Sequence, residues 1–213
     1  MSPLSLHRWT ALWQAAGASG DPAAQYQALQ ACYSGPDRFY HNLRHLADCL
    51  EEFDVAKPLA KNPTAVELAL MFHDAIYDSR ASDNEERSAE MAIKMLSAAG
   101  TASDLSEEVS RLILATKHVA AAVTNDAALV VDVDLTILGQ PGRRFDEYEQ
   151  GIRQEYLWVQ PDLFALKRAE ILRRFLERER IYATDFFATK YEQSARKNLA
   201  ASLKKLAAAQ PRQ

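Results

Sequence analysis

The stretch Asn62-Pro63-Thr64-Ala65-Val66-Glu67-Leu68-Ala69-Leu70-Met71-Phe72-His73-Asp74 decides the fold class. Asn62-Pro63-Thr64 restarts the chain, and Thr64 and Glu67 have the spacing of a capping box, in which two side chains satisfy the first free amides of a helix. The helix so opened carries Val66, Leu70 and His73. His73 and Asp74 fall among Leu70, Met71, Ile76 and Tyr77, where a charged carboxylate is costly to bury without a partner. A divalent cation is one partner that suits a histidine and an aspartate side by side.

Outward from this stretch the period stays helical. Upstream, Trp9, Leu12, Trp13 and Ala16 repeat at helical spacing, Pro22 opens a segment with Tyr26, Leu29 and Tyr33, and Leu43, Leu46, Ala47, Leu50 and Phe53 mark a third helix. Downstream, Asp83 and Glu86 repeat the capping spacing before Ala89, Ile93 and Leu96, with Gly100 as the stop. Asp104 and Glu107 open the next helix through Thr116, and another runs from about Asn125 to Leu138, halted by Gly139, Pro141 and Gly142. Pro161 begins a long amphipathic helix to about Glu179, and Thr184 begins the last, with Phe187, Tyr191, Ala195, Leu199 and Leu203 on one face. The β-branched run Val130, Val131 and Val133 is the one place where a strand competes. The expected fold class is all-α: a single helical domain over residues 1–206, with 207–213 as a fraying tail.

Two further histidines, His41 and His45, stand four apart in the third helical segment and are expected to share a face. Asp132 and Asp134, two apart, point to nearly opposite sides of a helix. Asp134 has Val130, Val131, Ile137 and Leu138 as helical neighbours, so it is the one expected to face the core, and Asp132 supports the site or lies exposed. The expected metal ligands are therefore His45, His73, Asp74 and Asp134. The expected cofactor is one divalent ion drawn from Mn, Fe, Ni, Co, Zn or Mg, because two imidazoles with two carboxylates do not make an oxygen-only calcium site. Such an ion lowers the pKa of bound water and polarises a phosphoryl oxygen. His41 is the candidate to touch a phosphate or protonate a leaving group.

The remaining composition narrows the class. The chain has 213 residues, 48% of them hydrophobic and 25% charged, enough to bury a core without staples. A net charge of −4 argues against a broad nucleic-acid surface but leaves room for a small phosphorylated substrate. Met1 to Trp13 has no continuous apolar core, no apolar run reaches membrane length, and Cys32 and Cys49 read as reduced core thiols, so a cytoplasmic protein is expected. Trp9 and Trp13 read as core, and the basic run Lys167, Arg168, Arg173, Arg174, Arg178 and Arg180 as a solvated helix face.

The order His45, His73-Asp74, Asp134 resembles the H…HD…D pattern of the HD superfamily of metal-dependent phosphohydrolases. Tyr40-His41-Asn42-Leu43-Arg44-His45 is similar to the Y-H-N-x-x-H motif of cyclic-nucleotide phosphodiesterases, whose histidine matching His41 acts as general acid and whose histidine matching His45 binds metal. Over nearly the whole chain the sequence resembles a group of predicted bacterial HD phosphohydrolases of unassigned substrate. That likeness runs through Phe72 to Asp78, Asp83-Asn84-Glu85, Ser88-Ala89, Asp134 to Gly139, Ile152 to Tyr156, Ile181 to Thr184 and Ala195 to Leu199. It implies a helical bundle with a central metal and hydrolysis of a phosphate ester or anhydride, nucleotides among the candidate substrates. The sequence departs from some relatives in placing Tyr77 where they carry a glutamate, so Asp78 and Glu86 become the acid–base candidates. His118 is a pocket residue, a second-metal ligand or a surface histidine at a helix end. Arg153 and Tyr156 are candidates to grip a phosphate, against an ion pair of Arg153 with Glu149. Two other functions share the pattern: a metal- and nucleotide-binding regulatory module without turnover, and a di-iron oxygenase, which needs more histidines. The oligomeric state is left open.

Overall fold

The computed structural model describes residues 3–118 and 124–208. Among them are ten α-helices and two 3-10 turns, with no strand, so the helical reading stands and the valines at 130, 131 and 133 are helical. The chain divides into two compact units, Met1–Asp134 and Leu135–Gln213. The first holds α1 (Leu6–Ala15), α2 (Pro22–Cys32), α3 (Leu43–Ala56), a 3-10 turn (Lys57–Leu59), α4 (Pro63–Phe72), α5 (Asn84–Ala98), α6 (Ser103–Ala115) and α7 (Asn125–Asp134). The second holds a 3-10 turn (Leu135–Gly139), α8 (Gly142–Glu155), α9 (Pro161–Glu177) and α10 (Asp185–Ala208).

The first unit is built around α4, which packs against α1, α3, α5, α6 and α7. Every residue from Ala65 to Phe72 is buried, as a helix apolar on all sides requires. Burial of Leu68, Leu70 and Phe72 stabilises the unit by about 1.5–3 kcal/mol each. The expected capping box is replaced. Asn62 is the N-cap, its side chain accepting from the Ala65 amide at 3.1 Å, and Glu67 turns elsewhere. The Glu67 carboxylate, buried in an apolar helix, takes Arg8 Nε at 2.7 Å and Lys57 Nζ at 2.8 Å, and Arg8 reaches on to Asp54 at 2.8 Å. A buried carboxylate gains more from two cations than from one backbone amide. Asp126, at the start of α7, accepts the amides of Lys61 and Asn62, both at 2.8 Å, and so sets where α4 begins.

Trp9 and Trp13 are core, as expected, with their indole N–H groups donated to Pro22 O at 2.9 Å and Ser19 O at 3.1 Å. Asp83 does not make the expected cap on α5; it stands 3.9 Å from Arg87, and Glu86 pairs with Lys117. Gly100, at φ +79°, turns the chain out of α5 as its position predicts.

In the second unit, α8 begins at Gly142 itself, on the spacing of buried Phe145, Tyr148 and Ile152. The 3-10 turn packs on α10, where Gly139 lies so close to Tyr191 that a Cβ would stand 2.6 Å from Tyr191 Cβ. The basic run on α9 is not uniformly solvated. Arg168 is buried and spans to Glu149 and to the Tyr148 hydroxyl at 2.7 Å. Among the described residues, no helix is long and apolar enough to cross a membrane.

Candidate metal centre

The site is assembled at the ends of three helices of the first unit. α3 begins at Leu43 because Asn42 caps it, its side-chain oxygen accepting the amides of Arg44 at 2.9 Å and His45 at 3.4 Å. His45 is thus the third residue of a helix and is buried. His41 lies before the cap, in a turn, so the two histidines do not share a helical face as the spacing suggested; their ring centroids are 6.0 Å apart. The His41 ring stacks on Tyr77 at 4.1 Å and meets Tyr40 edge-on at 4.9 Å.

His73 and Asp74 are likewise not inside a helix. α4 ends at Phe72, and His73 caps it. The chain turns here because its peptide groups find partners outside the helix. The Tyr33 hydroxyl donates to Met71 O at 3.0 Å and accepts the Asp74 amide at 3.3 Å. The Ala75 amide bonds Phe72 O at 2.9 Å, and Ser88 Oγ takes both the amide and the carbonyl of Ile76. Arg38 donates Nη1 to His41 O and Asp74 O, both at 2.7 Å, and Nη2 to Ala75 O at 2.9 Å.

These ends bring four atoms together. His45 Nε2 lies 3.1 Å from His73 Nε2, 3.4 Å from Asp74 Oδ2 and 3.3 Å from Asp134 Oδ1. His73 Nε2 lies 3.0 Å from Asp74 Oδ2 and 3.7 Å from Asp134 Oδ1. Bonds of about 2.1 Å meeting at angles of about 90–120° separate ligand atoms by about 3.0–3.6 Å, close to the spacings found here. The donor set fits as well. Leu70 O can only accept, so His73 Nδ1, 2.8 Å away, carries a proton, and in the neutral ring Nε2 presents a lone pair to the centre. A cation between them is one way to balance two imidazole nitrogens and two carboxylates that converge in this way. α4 and α7 both end here, and the negative ends of their helix dipoles favour positive charge as well.

Without an ion the cluster keeps itself charged. Burial opposes the charge on His45, but Cys49, Tyr40 and hydrogen bonds to Asp134 and Asp74 hold its pKa well above the ordinary histidine value. His73 is raised against the same burial, chiefly by Asp74. Burial pushes Asp74 and Asp134 upward, yet the surrounding imidazoles bring both well below the usual carboxylate range: His73 and His41 act most on Asp74, and His118 and His45 on Asp134.

His118 Nε2 stands 3.0 Å from Asp134 Oδ2, the oxygen not facing the two imidazoles. Its backbone is left-handed, φ +56°, a conformation costly for a non-glycine residue. Of Asp132 and Asp134, Asp134 joins the cluster, and Asp132 is fully buried rather than exposed.

Cys49, read from sequence as a plain core thiol, belongs to the group. His45, Cys49, His73 and Asp134 offer ligand atoms all within 4.8 Å of one another, and this group could hold a metal ion. Its Sγ is almost equidistant from His45 Nδ1 and Nε2, at 3.7 and 3.8 Å. A ligand sharing an ion with Nε2 would lie nearer Nε2, so Asp74 is the better aligned fourth donor. The signal was present in the sequence: Cys49 follows His45 by one helical turn.

Asp78 and Glu86 lie apart from this chemistry. Asp78 is exposed and accepts the Arg80 amide at 2.9 Å, while its own amide bonds Asn84. Glu86 is held by Lys117, whose hydrogen bond keeps its carboxyl below the usual range. Neither hydrogen-bonds a cluster residue. Arg153 and Tyr156 belong to the second unit. Arg153 donates to Tyr156 O at 2.6 Å and Val159 O at 3.2 Å and covers the Phe164 ring, closing the end of α8. Glu149, the alternative partner for Arg153, pairs with Arg168 instead. A cleft of about 600 Å³ is lined by Arg8, Asp54, Lys57, Thr64 and Glu67 and includes no cluster residue. Against family models, curated proteins and solved structures, the chain finds no match.

Proposed function

We propose that this chain is a metal-dependent phosphohydrolase of the HD type acting on a small phosphate ester or anhydride, nucleotides included. One observation carries the reading: His45 Nε2, His73 Nε2, Asp74 Oδ2 and Asp134 Oδ1 meet at ligand-to-ligand spacing, with Asp134's other oxygen held by His118. These four residues would hold the ion, their two carboxylates balancing its charge. When bound, a divalent ion supplies Lewis-acid polarisation of a phosphoryl oxygen and acidifies water at neutral pH. The chain's own contribution is placement. His41, fixed between Tyr77 and Tyr40, is the residue to hold a proton for the departing oxygen. Asp78 and Glu86 are not needed as bases in this scheme: Asp78 is engaged in its own turn, and Glu86 is committed to Lys117.

The test is elemental analysis of the purified protein beside Asp74→Ala, followed by turnover of a generic phosphoester. About one ion per chain, lost with activity in the variant, is the expected result. Activity retained in Asp74→Ala would sink the mechanism. A second reading, a binding module without turnover, draws support from Tyr77, which fills against His41 the position where a catalytic carboxylate could stand. Tight nucleotide binding with no turnover across Mn, Co, Ni, Zn and Mg would select it.

A further inference from the structure

The cluster draws its ligands from segments far apart in the chain: His45 stands at the start of α3, just after the turn that holds His41, and His73-Asp74 in the turn after α4. Packing alone holds a turn loosely; ligand atoms at 3.0–3.7 Å need a tighter constraint. One side chain touches both turns. Arg38 Nη1 is shared between His41 O and Asp74 O, and Nη2 takes Ala75 O. The guanidinium carbon lies 5.2 Å from the Tyr33 ring centroid and 5.6 Å from that of Tyr77. Tyr33 is itself bonded to Met71 O and the Asp74 amide, and Tyr77 stacks on His41.

We propose that Arg38 is a positioning residue for the ion site: its planar fork ties the His41 turn, from which α3 and His45 start, to the Asp74-Ala75 turn, and so sets the spacing between His45 and Asp74. The inference rests on reading the cluster as an ion site. Only arginine suits the task. A guanidinium presents several in-plane donors at fixed angles, reaches three carbonyls at once and lies flat against aromatic rings, whereas an ammonium is a point donor on a flexible stem. Arg38 contacts no ligand side chain in this scheme; it acts through the backbone on which those side chains are mounted.

The experiment is titration of metal-free wild type, Arg38→Ala and Arg38→Lys with Co²⁺ at a temperature well below each protein's unfolding midpoint. Binding is followed by calorimetry and by the visible cobalt absorption, and helix content by circular dichroism. The expected result is a Kd about 10–100-fold weaker in Arg38→Ala, as for other residues that orient metal ligands. Arg38→Lys should recover only part of the loss, and the cobalt spectrum of both variants should shift because the ligand angles have changed. A residue serving only overall stability would lower the unfolding midpoint and leave Kd and spectrum alone. Wild-type affinity and spectrum in both folded variants therefore overturn the proposal while leaving the ion site standing. Failure of the wild type itself to bind Co²⁺ overturns the ion-site reading and this inference with it.

Discussion

At the scale of single residues, the site is governed by groups that sequence motifs do not mark. His45, His73, Asp74 and Asp134 were legible because charged and imidazole side chains among apolar neighbours demand a reason. Tyr33 was legible only as an apolar helix position, yet its hydroxyl does two jobs at the Asp74 turn. Tyr33→Phe leaves a buried carbonyl and a half-buried amide without that partner. It should cost about 1–3 kcal/mol of stability, read as a lower urea midpoint. An unchanged midpoint would mean that the turn holds without it. Arg38 was invisible for a related reason: its partners are carbonyls, and a carbonyl has no residue type. Cys49 was underread because a lone thiol in an apolar stripe is ordinary, and only its contact with His45 distinguishes it.

At the scale of elements, the existence of every described helix but α8 followed from period and punctuation, while helix ends did not. The spacing Thr64–Glu67 fits a capping box as well as the true cap at Asn62 does, and the choice was made by Arg8 and Lys57, which claim Glu67 from elsewhere in the chain. The same limit moved His41 out of α3 and His73 and Asp74 out of α4. These shifts leave His45, His73 and Asp74 at helix ends, where the backbone can be aimed, rather than on continuous faces. Asn42→Ala should cost about 1 kcal/mol through the lost cap. Because His45 is the third residue of the helix so capped, its metal affinity should fall with it, and loss of stability at unchanged affinity would separate the two roles. In the second unit, Gly139→Ala forces a methyl against Tyr191 and should cost about 1–3 kcal/mol in a thermal melt.

At the scale of the molecule, the cluster makes stability depend on pH in a direction set by its occupancy. In metal-free protein, His45 and His73 have raised pKa values, so their contribution is complete below the unfolded value near 6.5 and is lost as pH rises through the folded values. Asp74 and Asp134 are depressed, so theirs is present above about 3.9 and lost only as pH falls through their lowered values. The metal-free cluster therefore stabilises most between about pH 4 and 6.5. Ion binding needs neutral imidazoles and releases their protons, so affinity should climb with pH. The gap in unfolding midpoint between metal-loaded and chelator-treated protein should widen from pH 6 to 8, and a constant gap would mean that these imidazoles are not ligands. The packing of α1 on α4 gives a direct way to watch this. Trp9 meets the ring of Phe72 edge-on at 6.2 Å, and Phe72 is the residue before His73. Of the three tryptophans, Trp9 and Trp13 form one buried pair at 5.2 Å in the unit that holds the cluster, while Trp158 is exposed. The protein thus carries a buried tryptophan pair in the unit that holds the cluster: a light-absorbing ion such as Co²⁺ or Cu²⁺ should dim its blue-shifted emission, so that loading can be read in a cuvette without label or substrate.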